Sequence, residues 1–315
     1  MHSGIFPEIL KVGKITPVFK KGDVQDFTNY RPISMLPIFG KFFEKIIYSR
    51  LYSFLNSTGV IYDKQFGFRQ YHSTSHAVNY SINKILTELE KRNHVIGLFV
   101  DLSKAFDTID NSKLLVNLEN YGIRGMCYNL LKSYLSGRPQ YTKFQQTLSD
   151  HTFIEYVVPQ GSVLGPLLFL IFMNDIVNCS EDGHFVLFAD DTNIFVTGDS
   201  EENVYKNANV VANQLFEYFA ANELHMNSGK SVHMYFHPNF SNNARMTCAR
   251  TRSTFYQLKV MGKKLKQVDV VKFLGVLIDE DLTWEPHIEH LRKKLNASIV
   301  VIISVLENIY QNQNI

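Results

Sequence analysis

Apolar residues follow two rhythms along this chain. Short continuous runs, Phe185-Val186-Leu187-Phe188 and Ile194-Phe195-Val196, are rich in Phe and Val and lie either side of Ala189-Asp190-Asp191. They read as two buried strands, with Ala-Asp-Asp as the tight turn of a hairpin. Val95-Ile96-Gly97-Leu98-Phe99-Val100 is a third such run, and it ends directly in Asp101. Further strands are expected over 15–19 and 231–236, with one or two within 140–158. Strands over 255–261 and 268–278 are expected to form a hairpin across Gly262-Lys263-Lys264. The second rhythm is helical. Phe42, Phe43, Ile46, Ile47, Leu51, Phe54 and Leu55 predict an amphipathic helix over 41–55 with its stripe in the core. Ala77, Val78, Ile82, Ile85, Leu86 and Leu89 predict a second helix from Ser73. Helices are also expected over 111–120 and 125–135, with Gly122 and Gly137 as terminators. Two more are expected over 204–224 and 284–310, the last striped by Ile288, Leu291, Leu295, Ile299, Ile302 and Leu306. The polar, basic stretch 240–252 reads as a loop.

The chain has 315 residues, enough for a sizeable core and one large or two modest domains. With 45% hydrophobic and 20% charged residues it falls among soluble globular proteins. A net charge of only +2 means that any nucleic-acid surface must come from local clustering. Cys127, Cys179 and Cys248 form no CxxC pair, which argues against a disulfide scaffold or a zinc ribbon. His233 and His237 lie four apart on an expected strand ended by Pro238 and read as non-ligands. No signal peptide is expected. The most apolar run, 163–173, contains Pro166 and is too short to span a bilayer.

The acids change the picture. Burying a carboxylate costs several kcal/mol unless a cation or donors compensate. Asp190 and Asp191 between apolar strands therefore read either as a hard-oxygen site for Mg²⁺ or as a solvent-exposed turn. Asp101, at the end of its own buried run, needs the same explanation. Carboxylates from separate strands are what a two-metal phosphoryl-transfer site requires.

Phe188-Ala189-Asp190-Asp191 resembles the catalytic box of reverse transcriptases, most closely those of non-LTR (LINE-type, jockey-like) retrotransposons. Supporting blocks follow in the family's order: Asn29-Tyr30-Arg31-Pro32-Ile33-Ser34, Phe66-Gly67-Phe68-Arg69, Asp101 to Asp107, Val158-Pro159-Gln160-Gly161-Ser162-Val163-Leu164-Gly165-Pro166, and Lys272-Phe273-Leu274-Gly275. The resemblance covers nearly the whole chain. It implies that Asp101, Asp190 and Asp191, with the backbone at Leu102, hold two Mg²⁺ ions, Mn²⁺ being a possible substitute. It places Lys20 against the incoming triphosphate, Arg31, Gln160 and Gly161 at the nucleotide, and Phe106 under its sugar. It makes Lys230 a donor to the leaving pyrophosphate. Arg69 would lie near the template and Gly275 near the primer end. Lys21 reads as a solvated turn residue, and Phe106 has a core reading beside the sugar one.

The expected architecture is an α/β right-hand polymerase: mainly fingers over 1–93, a palm strand over 94–110, a fingers–palm connection over 111–155, the palm over 156–279 and the start of a thumb from 280. The expected activity is RNA-directed DNA synthesis with an RNA template, a DNA primer and deoxynucleoside triphosphates. No membrane partner is expected. Other domains of a longer element protein are expected to be missing, and the setting is a nuclear and cytoplasmic ribonucleoprotein. A nucleic-acid-binding remnant without catalysis and a small-molecule nucleotidyl transferase are the other readings. The second would explain the acids but not the hairpin near Gly275.

Overall fold

Strand β3 (His94–Val100) shows how period-2 alternation builds this molecule. Ile96, Leu98 and Val100 enter one apolar cluster, while Val95 and Phe99 enter another. The same division runs through β7 (Gly183–Phe188) and β8 (Asp191–Gly198). Phe185, Leu187, Ile194 and Val196 face the first cluster; Val186 and Phe195 face the second. A sheet covered on both faces explains why these strands read as continuous apolar runs.

The computed structural model describes residues 3–103, 105–154, 159, 161–238 and 256–312. The N-terminal part holds β1 (Gly13–Phe19), β2 (Tyr30–Met35), α1 (Ile38–Ser57) and α2 (Thr74–Glu90). After β3 come α3 (Asn111–Asn120), α4 (Gly125–Leu135), β4 (Arg138–Phe144), β5 (Thr147–Leu148), β6 (Thr152–Ile154) and α5 (Gly165–Met173). Following β7 and β8 are α6 (Glu201–Ala221), β9 (Val232–Phe236), β10 (Lys259–Val260), β11 (Lys263–Lys264) and β12 (Lys266–Gln267). The chain continues through β13 (Val270–Phe273) and β14 (Val276–Asp279) into α7 (Glu285–Asn312).

The central sheet has the order β12-β9-β3-β8-β7, with β3 antiparallel to both its neighbours. A second sheet orders β2-β1-β4-β5, with β6 also on β4. Helices α5 and α6 pack on one face of the central sheet; α2 and the β13–β14 hairpin pack on the other. Local signals explain the helix starts. Ser73, Asp110 and Ser200 each accept a backbone N–H hydrogen bond at the first turn of α2, α3 and α6.

Several expectations need correction. The apolar run over 163–173, given no element from the sequence, is helical from Gly165: α5 opens with Pro166 in its first turn, where the missing N–H costs nothing, and every residue of α5 except Pro166 is buried. The region 138–154 carries three strands, not one or two. The expected 255–278 hairpin is divided. A small hairpin, β10–β11, turns at Met261-Gly262; β12 joins the central sheet; and β13–β14 turns at Leu274-Gly275. Leu274 (φ 47°) and Gly275 (φ 93°) both take the left-handed conformation of a two-residue hairpin turn, which breaks the long strand. On α1, Ile47, Leu51 and Leu55 are buried, but Phe42 is 62% exposed and does not belong to the core. Helix α6 stops at Ala221, three residues before its expected end. The α7 stripe is exposed at Ile288, Leu291, Leu295, Ile299 and Ile302. The loop expected over 240–252, Cys248 and Gln160 lie outside the described residues.

Candidate active site

Asp101 is the residue directly after β3, and Asp191 opens β8, its antiparallel neighbour. The last pair of that ladder is Val100 with Thr192, so Asp101 and Asp191 leave the sheet at the same end. Asp190 sits in the two-residue turn between β7 and β8. Topology thus brings Asp101 to the same sheet end as the adjacent pair Asp190 and Asp191, far along the chain.

The backbone around Asp101 is fixed from the side of β9. Its N–H donates to Ser231 Oγ (3.1 Å), and its carbonyl accepts from Asn227 N–H (2.8 Å). Ser103 N–H donates to the His225 carbonyl (2.8 Å), making Leu102 and Met226 an isolated antiparallel bridge pair. In such a non-hydrogen-bonded pair the Leu102 carbonyl turns away from Met226, toward the β8 side. Lys230 Nζ stands 3.0 Å from Asp101 Oδ2.

The Asp-Asp turn is held from its other side. Phe66 N–H donates to the Leu187 carbonyl (2.8 Å), and Leu187 N–H donates to the Lys64 carbonyl (2.9 Å). The buried Gln65 side chain accepts through Oε1 from Gly67 N–H (2.9 Å) and from Ala189 N–H (3.2 Å). Ala189 has φ 55°, a conformation that costs an L-residue about 1–2 kcal/mol. A Cβ on Gly67 would lie 2.1 Å from Ala189 N, so only glycine permits this approach.

Electrostatics mark the cluster. Asp191 keeps solvent contact as a residue. Nevertheless the surrounding protein displaces water from its carboxyl, and the charges of Asp190 and Asp101 add to that, pushing its pKa up to about 6 from 3.8. Burial also raises Asp190, with Asp101 adding to the rise and the Arg31 guanidinium opposing it. Among the described residues, no three His, Cys, Asp or Glu side chains stand close enough to clasp a metal ion as placed. The Asp101 carboxylate is instead paired with the Lys230 ammonium.

A pH dependence follows. The folded pKa of Asp191 lies above its unfolded value. In metal-free buffer its contribution to stability is therefore full below about pH 4 and is lost as pH rises through 6. Glu88 works in the opposite sense. Donors from Asn93, Lys91 and Lys84 outweigh its burial and hold it down at about 2, so its contribution is lost only below its unfolded pKa of 4.5. Asp191→Asn should be more stable than wild type at pH 7, and the gap should close by pH 4. Melting curves of both proteins between pH 4 and 7.5 test this, and a constant gap would contradict the assignment.

The other expected residues are placed as follows. Arg31 is an exposed residue of β2 whose charge reaches Asp190. Lys20 is exposed at the end of the β1–β2 hairpin. Gly161 (φ 106°) lies against β2, where a Cβ would meet the Ser34 carbonyl at 2.7 Å. Glu44, 1% exposed, steadies that loop: it accepts from Val163 N–H (2.6 Å) and from Tyr134 OH (2.7 Å). Phe106 is half-buried, stacked on Phe169 (4.3 Å, 22°) with Phe68 edge-on (6.0 Å, 76°). Arg69 Nη1 donates to the carbonyls of Tyr62, Asp63 and Gln65, a structural use of part of its guanidinium. Gly275 sits in the β13–β14 turn. A cleft runs from Asp101, Asp191 and Lys230 to Val271, Lys272, Phe273 and Leu274 of that hairpin. Sequence reading missed Gln65, Ser231 and Glu44. Gln65 had one signal, a lone amide directly before Phe-Gly-Phe-Arg.

The site is thus a set of carboxylates at one end of a mixed sheet that carries helices on both faces. A telomerase from Candida tropicalis, truncated from its C-terminal domain, shares the fold at TM-score 0.59 and 12% identity, over 89% of this chain and 55% of that one. Another apo telomerase structure from that organism gives TM-score 0.56 at 12% identity, over 89% and 49%. These are right-hand polymerase folds. Residues 18–278 match the family model described as reverse transcriptase (RNA-dependent DNA polymerase), and the chain belongs to that family. It is 31% identical to a probable RNA-directed DNA polymerase from transposon X-element of Drosophila melanogaster, over 93% of this chain. It is 29% identical to the RNA-directed DNA polymerase from mobile element jockey of Drosophila funebris, over 95%. The chain spans 32% of the length of either relative.

Proposed function

We propose that this chain performs template-directed DNA synthesis on RNA, as the polymerase domain of a non-LTR retrotransposon protein whose setting is a nuclear and cytoplasmic ribonucleoprotein. The observation that carries the reading is the convergence of Asp101, Asp190 and Asp191 at one sheet end, with Asp190 and Asp191 raised by burial and by their neighbours' charge. Mutual repulsion of this kind is relieved by a bound cation. Hard oxygen donors fit Mg²⁺, with Mn²⁺ as substitute, so these three carboxylates and the Leu102 carbonyl would hold the two ions. Bound there, such ions make the primer 3′-hydroxyl more acidic and neutralise triphosphate charge.

The chain's own residues bind and orient. Lys20 would meet the triphosphate, and Arg31, Gln160 and Gly161 would lie at the nucleotide. Lys230, released from Asp101, would stand ready to give a proton to the departing pyrophosphate. Arg69 would face the RNA template, and Gly275 the DNA primer end across the cleft. Residues 1–93 would act mainly as fingers, 94–110 and 156–279 as palm with 111–155 connecting them, and 280–315 as the start of the thumb, within a longer protein. Incorporation of a deoxynucleotide on an RNA template with a DNA primer, dependent on Mg²⁺, tests the reading. Binding of the primer–template without incorporation would instead make the chain a nucleic-acid-binding remnant.

A further inference from the structure

We infer that Gln65 is a positioning residue for the catalytic turn: its single side-chain oxygen holds Ala189 in the left-handed conformation that aims Asp190 and Asp191. The inference rests on the polymerase reading above and adds a residue to it. Four observations carry it. Gln65 is 2% exposed, so its amide cannot turn to water instead. Its Oε1 accepts from two backbone N–H groups, one on its own loop and one at Ala189, and so joins them rigidly. Backbone bonds at Lys64 and Phe66 dock this loop in register against Leu187, two residues before the turn. Gly67 closes the contact at a distance no side chain allows.

The chemistry needs such a clamp. Hairpin turns with a positive φ at the first central residue normally place glycine there. Here that position is Ala189, which supplies no such freedom. The conformation must be imposed from outside, and the Ala189 N–H would otherwise be a buried donor without a partner. If the turn relaxed, Asp190 and Asp191 would both swing, because they are the next two residues. Misplacement of reacting groups by about 1 Å costs on the order of 100-fold in rate.

Four proteins test this: wild type, Gln65→Met, Gln65→Glu and the double variant Gln65→Met/Ala189→Gly. Methionine keeps the length without a strong acceptor, and glutamate keeps the acceptor. Glycine at 189 takes the left-handed conformation without help. Single-nucleotide incorporation, the Mg²⁺ concentration at half-maximal rate, Mn²⁺ binding followed by the resonance of the free ion, and melting temperature are measured for each. Gln65→Met should lose on the order of 10- to 100-fold in kcat, with a raised Mg²⁺ requirement and little change in nucleotide KM. Gln65→Glu should retain most of the rate, and Ala189→Gly should restore much of what methionine removed. A merely architectural role for Gln65 predicts no rescue by glycine at 189. The inference is overturned if Gln65→Met matches wild type in kcat and Mg²⁺ requirement. It is overturned too if Gln65→Met loses rate or fold and Ala189→Gly restores neither. A wild-type protein without incorporation would instead defeat the polymerase reading, and the Mn²⁺ affinities of the four proteins would still decide whether Gln65 sets the carboxylates.

Discussion

Asp190→Asn should abolish nucleotide incorporation, by on the order of 1,000-fold or more, while the fold persists. Asparagine has nearly the same shape, and Asp190 is only half-buried in its turn, so packing changes little. Its charge changes completely. The carboxylate already carries the cost of burial and of Asp101 nearby, which a backbone hydrogen bond and the Arg31 charge only partly oppose. Removing the charge removes repulsion, so melting in metal-free buffer should stay equal or rise. Added Mg²⁺ should raise the melting temperature of the wild-type protein and much less that of the variant, since a ligand that binds only the folded state stabilises it by mass action. Activity retained in pure Asp190→Asn protein would remove the acid from the site.

Phe106→Ala should act on two measurements at once. The ring is half-buried and lies 4.3 Å from Phe169, which is wholly buried, so its removal opens a gap at the edge of the larger core cluster. Full burial of a phenylalanine would put the loss at 3–5 kcal/mol, and half-burial brings it to about 2–3 kcal/mol. The second measurement concerns the sugar. Phe106 lies five residues after Asp101, within the 3₁₀ turn Ala105–Asp107; under the proposed function, the sugar of a nucleotide whose phosphates sit at the acids would lie near this ring. Phenylalanine offers bulk and no hydroxyl, so exclusion of a 2′-hydroxyl would be steric. Ribonucleotide incorporation should rise relative to deoxyribonucleotide by about tenfold or more, the scale on which a pocket discriminates a small group. Equal losses with both sugars would assign the ring to the core alone.

What could be read from the sequence followed from how local each signal was. β3, β7 and β8 were legible because sheets buried on both faces leave uninterrupted apolar runs, and the acids stood out against them. Helices α2 and α6 are legible through the helical spacing of their apolar residues. Helix α5 is not, because a helix buried all round has no polar face and so no period. The expected 255–278 hairpin divides because two left-handed residues at Leu274-Gly275 split a strand that reads as continuous. Gln65 stands beside the Phe-Gly-Phe-Arg block, yet its role is not legible there: its partner is a backbone N–H 124 positions away, and no spacing rule reports that.

Helix α7 is tied down at one end. The buried Asp279 carboxylate accepts from the backbone N–H groups of Asp281, Thr283 and Trp284, fastening the helix start to β14. Beyond that knot, Leu295 and Ile299 are 62% and 50% exposed, so the apolar stripe yields little of the burial that usually holds a helix in place. Deuterium should therefore enter the α7 amides along a gradient, slowest beside Trp284 and faster with each turn toward Asn312. The central sheet, in the same sample, should hold its protons until the molecule opens as a whole.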